Sequence, residues 1–282
     1  MGVGRCWLPF LRKVGIGMLL AKNCFTKDNL KTRKTIKLGT LYEYRKIESA
    51  QIVDKDEGKY SFLLKFDGTV EIERRWFSLM FQGAIGLGGD EHHPRIPGAM
   101  SAAIHKLEMV GGDEQIIKVR NSSASIQREA LNGFIFCMSQ VRKFRDAVGL
   151  FPDYDDCWYM TTTKAHDLGV ALSILLRDRI TSGRHSGNHI VDPNIPLVNL
   201  SIHCRHELVS YLGREIHISD TSVFTADHFM DKIWDMAFVK PPSFLAEKEY
   251  RFSFTVVAGD RILIPTVDNV VLNAEHLVDW AI

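Results

Sequence analysis

The amino-acid sequence predicts an α+β fold, with mixed, largely antiparallel sheets and a few helices. Three observations carry this. Apolar and polar residues alternate with period two in most segments, as in KYSFLLKF and TVEIERRWFSL on either side of Asp67-Gly68. A helical period is plain in one long segment, His166–Arg179, where Leu168, Ala171, Leu172, Leu175 and Leu176 share a face. The two kinds of segment come in mixed order, which argues against a regular array of strand–helix–strand units.

Of the 282 residues, 45% are hydrophobic and 24% charged, an ordinary globular composition. The chain reads as a single domain over 1–282, with residues 1–20 as a candidate N-terminal extension. A net charge of +1 gives no global attraction to nucleic acid or to an anionic membrane. The opening MGVGRCWLPFLRKVGIGMLL is apolar but broken by Arg5, Pro9, Arg12 and Lys13, so neither a membrane span nor a signal peptide is expected. Gly2 invites myristoylation, but Cys6 stands where that motif has Ser or Thr. The 5 cysteines are scattered without a CxxC pair, which fits a reducing, cytoplasmic compartment and core thiols.

The elements follow in order. Thr26 or Asp28 caps a short helix near Asn29, and Ile36, Leu38 and Leu41 mark a strand. Asp54, Asp56, Glu57 and Gly58 form an acidic turn. Asp67-Gly68 predicts a hairpin turn. Gly83–Gly98 is a loop or lid whose adjacent His92 and His93 carry no metal expectation. Strands are expected in AIHKLEMV and EQIIKVR, and a central one in LNGFIFCMS, ending at Ser139. After the helix comes a polar loop, Thr181–Pro196, then the strand pieces VNLSIHC, ELVSYL and REIHI. HFMDKIWDMA reads as a short helix, and RILIPTV as an edge strand limited by Pro265.

The stretch FVKPPSFLAEKEYRFSF, Phe238–Phe254, holds the candidate site. Pro241-Pro242 excludes a helix there, and Tyr250, Phe252 and Phe254 alternate as a strand with one buried face. Glu247 and Glu249, at i and i+2, are expected to present two carboxylates on one side at the strand's mouth. A competing structural reading pairs them with Arg251 as a solvated sheet surface.

Three separated pieces resemble an uncharacterised bacterial family found near defence genes. They are KTIKLGTLYEYRKIE with DKDEG, FIFCMS with YDDCWYM, and FVKPPSFLAEKEYRFSF, in order from Cys24 to Phe254. The resemblance implies a microbial or phage source and a role in phage defence. A more distant similarity links the chain to ADP-ribosyltransferases, through Thr26 and Leu30, Ser139, and Glu247 with Glu249. Arg33 departs from the isoleucine of the opening pattern, and no basic residue aligns near Asn23, Cys24 and Phe25; Arg45 is the substitute.

That similarity implies a transferase fold and NAD as substrate, in a toxin-like ADP-ribosyltransferase or NAD glycohydrolase with a protein or nucleic-acid acceptor. It implies that Glu249 stabilises the oxocarbenium-like transition state, Glu247 orients or deprotonates the acceptor, and Ser139 supports Glu249. Arg45 or Arg251 would pair with pyrophosphate, and Tyr42 or Tyr154 would stack on nicotinamide. The alternative is a non-enzymatic sensor that binds a nucleotide or a protein. A third reading, a nuclease with magnesium on Asp54, Asp56 and Glu57, lacks an accompanying lysine.

Overall fold

Strand β7 (Phe134–Val141) is the hub of the molecule, because its alternating side chains feed two separate cores. Phe134, Phe136 and Met138 enter one core, and Ile135 with Cys137 faces the other. The computed structural model describes residues 17–46, 58–80, 98–222 and 225–282. The architecture is α+β with mostly antiparallel curled sheets, as the alternation predicts.

In chain order the elements are β1 (Leu19–Cys24), α1 (Leu30–Arg33), β2 (Thr35–Thr40), α2 (Leu41–Lys46), β3 (Lys59–Glu73) and α3 (Arg74–Met80). Then come β4 (Ala99–Lys106), β5 (Met109–Gly112), β6 (Ile116–Glu129), β7, β8 (Asp156–Thr161) and α4 (Ala165–Ser186). The last are β9 (Ser201–Leu208), β10 (Ser210–Tyr211), β11 (Glu215–Ser219), α5 (Ala226–Ile233), β12 (Val239–Lys240), β13 (Glu249–Ala258), β14 (Arg261–Leu263) and β15 (Asn269–Asn273).

The first sheet runs β14-β13-β7-β1-β8, with β9 on β13, β2 on β7 and β15 on β2. Leu168, Leu172, Leu176 and Ile180 of α4 cover one face of it, in a core shared with Phe136, Phe252 and Phe254. The second sheet runs β11-β3-β6-β4, with β5 on β6. Its core gathers Phe62, Leu64 and Ile126 with Phe77 of α3 and Phe229 of α5. Two registers matter most: Ala21 of β1 lies opposite Ser139, and Ser139 lies opposite Glu249. Three neighbouring strands therefore put Ala21, Ser139 and Glu249 in one row.

Several sequence expectations are corrected. Asp67-Gly68 makes no hairpin: β3 is a single 15-residue strand with a register shift there. Gly68 takes a left-handed φ of 72°, and its N–H donates to Asn121 Oδ1, so the chain kinks and continues. RRWFSL is helical in α3, with Trp76, Phe77 and Met80 buried on one side. Helix α4 runs on through the first part of the expected loop, to Ser186, and stops at Gly187, whose φ is 77°. The Thr181, Ser182 and Ser186 hydroxyls donate back to helix carbonyls, which lets a polar sequence stay helical. Asn29 itself caps α1, accepting from Lys31 N, so Thr26 and Asp28 do not. A 3-10 turn spans Pro242–Glu247 after the double proline, because a proline in the first turn has no N–H to satisfy. The acidic turn, the Gly83–Pro97 stretch with its histidines and the first sixteen residues lie outside the described residues.

Candidate functional site

The candidate site forms on the face of β13 opposite α4. Tyr250, Phe252, Phe254 and Val256 point into the apolar core, so period two sends Glu249 and Arg251 to the other side. Both are buried, Glu249 at 5% exposure and Arg251 at 1%. Arg251 Nε donates to Glu249 Oε1 at 2.5 Å, and Arg251 Nη1 donates to the Ala237 carbonyl. Lys240 Nζ donates to Glu249 Oε2 at 3.1 Å and to Glu247 Oε2 at 2.9 Å. Glu247 sits on the 3-10 turn, and Lys248 between the two acids has a left-handed φ of 44°. The two carboxylates thus converge through a turn onto one ammonium, whereas simple strand alternation was expected to bring them together.

Lys240 is held in place by a short parallel pairing of β12 with β10, which sets it opposite Tyr211. The Tyr211 hydroxyl accepts from Glu249 N at 2.9 Å, and the Lys240 ammonium lies 4.4 Å over the Phe244 ring. Burial alone would raise the Glu249 carboxyl, but the Arg251 and Lys240 charges outweigh it and hold the group well below the ordinary carboxylate range. Glu249 is therefore an anion at neutral pH, fixed in one orientation.

Ser139 is buried directly across from Glu249, and Cys137 across from Arg251. Burial pushes the Cys137 thiol upward, with the Glu249 charge adding to it, which disfavours the reactive thiolate. Cys24 and Cys204 are also pushed up, each to about 12, mainly by burial. Tyr44 from α2 reaches the same place; burial first, then the Cys137 and Glu249 charges, lift its hydroxyl well above the usual tyrosine value. Its ring lies on Gly39, where an added Cβ would meet Tyr44 Cε2 at 2.8 Å. Lys22 of β1 donates to the Cys137 carbonyl at 2.9 Å, with its ammonium 4.8 Å from the centre of the Phe136 ring. Desolvation lowers its pKa against the opposing pull of Cys137. Glu249, Arg251, Ser139 and Lys240 are buried, whereas Tyr44, Cys137 and Lys22 are half-buried.

Four of the seven expected site residues come together here: Glu247, Glu249, Arg251 and Ser139. The other three do not. Arg45 Nη1 pairs with Glu129 at 2.7 Å, the Tyr42 hydroxyl donates to the same oxygen, and the Arg45 guanidinium lies 4.1 Å from the centre of the Tyr42 ring. This small cluster serves Glu129 and places neither residue on Glu249. Tyr154 packs edge-to-face on Phe25, with ring centroids 5.1 Å apart, beside the far end of β1. Its acidic neighbours are structural: Asp155 accepts from Thr26 N, and Asp156 from Asn29 Nδ2. Arg251 is tied internally to Glu249 and to the Ala237 carbonyl. The solvated-surface reading of the Glu–Arg pair is overturned by its burial.

Lys240, Lys22, Tyr211 and Tyr44 were given no role from sequence. Lys240 had a signal, a lysine closing the apolar run MAFV before two prolines. Among the described residues, no group of three or more His, Cys, Asp or Glu gathers as a metal site. No described helix is long and apolar enough to cross a membrane. Compared with family models, curated proteins and solved structures, the chain shows no match.

Proposed function

We propose that the protein acts on NAD, as an ADP-ribosyltransferase or NAD glycohydrolase, with Glu249 as the charge-stabilising carboxylate. One observation supports this most. Three stretches far apart in sequence supply Tyr44, then Cys137 and Ser139, then Lys240, Glu247, Glu249 and Arg251, and all converge on a single ionised carboxylate. A buried anion held by two cations and a row of polar groups across a central strand is costly to keep inside a fold for packing alone.

The chemistry follows from the charge. The bond from ribose C1 to the nicotinamide nitrogen breaks, and its electron pair leaves on nitrogen. Positive charge develops at C1 and the ring oxygen, and a fixed carboxylate stabilises it. Glu247, with its side chain 12% exposed against 6% for Glu249, is the acid nearer solvent and the better placed to take a proton from water or an acceptor hydroxyl. Tyr44 is the aromatic group available for the nicotinamide ring, in place of Tyr42 and Tyr154.

A second reading has its own observation. Both Glu249 oxygens are engaged by cations, which suits an internal clamp in a non-enzymatic binding module. Nicotinamide release from NAD separates the two. Release that is lost in Glu249→Gln, with the fold retained, supports the enzyme. No release and no NAD binding by the wild type supports the module.

A further inference from the structure

A second feature lies away from this cluster. It is a groove of about 350 Å³ between α4 and β9. His166, Val170, Ser173, Ile174 and Arg177 line it from α4, at the spacing of one helical stripe. Ile202, Cys204 and His206 line it from β9, at the spacing of one strand face. Gly169 makes this close approach possible, since a Cβ there would lie 2.9 Å from Cys204 Sγ.

Two features of the groove are unusual for a finished surface. Val170 and Ile174, one turn apart, are each 46% exposed. Beside them runs an open backbone edge. β9 pairs with β13 alone, through eight consecutive residue pairs from Tyr250↔Leu208 to Val257↔Ser201 without a register shift. Among the described residues no other strand pairs with it. A straight, unbulged edge of that length presents N–H and C=O groups at strand spacing to whatever lies alongside.

We infer that this groove binds an extended peptide segment, which adds to β9 as a further strand and drops alternate apolar side chains against Val170, Ile174 and Ile202. Charge selects the remaining positions. Arg177 is the one fixed charge of the lining, which holds no carboxylate, so acidic residues alternating with apolar ones fit it. Arg177 is paired only with its exposed neighbour Asp178, a surface contact that a ligand carboxylate can replace. The groove is on the α4 side of the sheet and Glu249 on the other, so this inference stands apart from the NAD reading.

The test is selection of a displayed library of random twelve-residue peptides on the full chain, with Ile174→Glu for counter-selection. The expected result is enrichment of peptides that alternate branched apolar and acidic residues. One such synthetic peptide should weaken at least tenfold in Kd on Ile174→Glu, on Arg177→Glu, and when its own alternate amides are N-methylated. Glu249→Gln should bind it unchanged. Three outcomes overturn the inference: no enrichment over the counter-selector, a binder indifferent to N-methylation, or a dimer of the chain that Ile174→Glu dissolves. The last would make a second copy the occupant of the edge.

Discussion

Two regions of this molecule break the usual division between interior and surface, in opposite directions. Around Glu249, charged groups are inside: Lys240, Glu249 and Arg251 are nearly removed from water and satisfy one another at hydrogen-bond distance. Between α4 and β9, apolar groups are outside: Val170 and Ile174 are exposed beside a strand edge that no other strand pairs among the described residues. A buried charge is tolerable only when a partner replaces its lost water. An exposed apolar stripe beside a strand edge is a place where a partner can add. The first region satisfies its own charges and the second is the proposed docking edge, so substitutions should affect stability in the first and association in the second.

The largest expected effect follows from breaking the first region. Arg251→Met should cost about 3–5 kcal/mol in chemical denaturation, because Glu249 is left as a buried anion. Arg177→Met in the groove should stay within about 0.5 kcal/mol, as surface changes do. Equal losses from the two would erase the distinction. A double-mutant cycle sharpens it. Lys240→Met and Glu249→Gln should be strongly coupled, with an interaction energy of about 1–3 kcal/mol measured by urea unfolding. The same cycle on Arg177 and Asp178, an exposed pair, should show about 0.5 kcal/mol or less.

The contrast between these regions also marks what could be read from sequence. Sheet alternation, the helix face of α4 and the strand of Tyr250, Phe252 and Phe254 follow from local periodicity and are found as expected. The pairing of Glu247 and Glu249 was legible too, although the turn at Lys248 achieves it rather than the strand. Lys240 and Tyr211 were not legible, because their places depend on a two-residue parallel pairing between segments nearly thirty positions apart. That Arg45 and Tyr42 sit apart from Glu249 was not legible, since nothing local announces Glu129, more than eighty residues away, as their partner. Asp67-Gly68 failed for the same reason: a turn dipeptide yields to a long partner strand, here β6, that pairs on both sides of it. The groove was missed because it is made by the meeting of α4 with β9, and neither stretch reports the other.

Titration should separate the two regions as well. Glu249 is depressed on folding, so its contribution is fully present above the ordinary carboxylate value of about 4.5 and is lost only as pH falls through its lower folded value. In the groove, burial and then His166 lower the pKa of His206. The unfolded chain takes that proton more readily, so stability should decline as pH falls through the ordinary histidine value of about 6.5. Unfolding followed from pH 8 to 5 should show a slope that His206→Gln flattens and Glu249→Gln leaves in place. The smallest effect expected is that of Ile174→Ser, about 0.5 kcal/mol or less in thermal unfolding, at a side chain already half in water.

The role proposed for Glu249 is tested most directly by nicotinamide release from NAD by purified wild-type protein and by Glu249→Gln, with circular dichroism of both. The expected result is release by the wild type and a loss of about 10²–10³-fold in the variant while its fold is retained, the scale of removing one preorganised charge-stabilising group. Release unchanged in a folded Glu249→Gln variant, or no release and no NAD binding by the wild type, would contradict it and leave the Glu249 cluster as a clamp between strands.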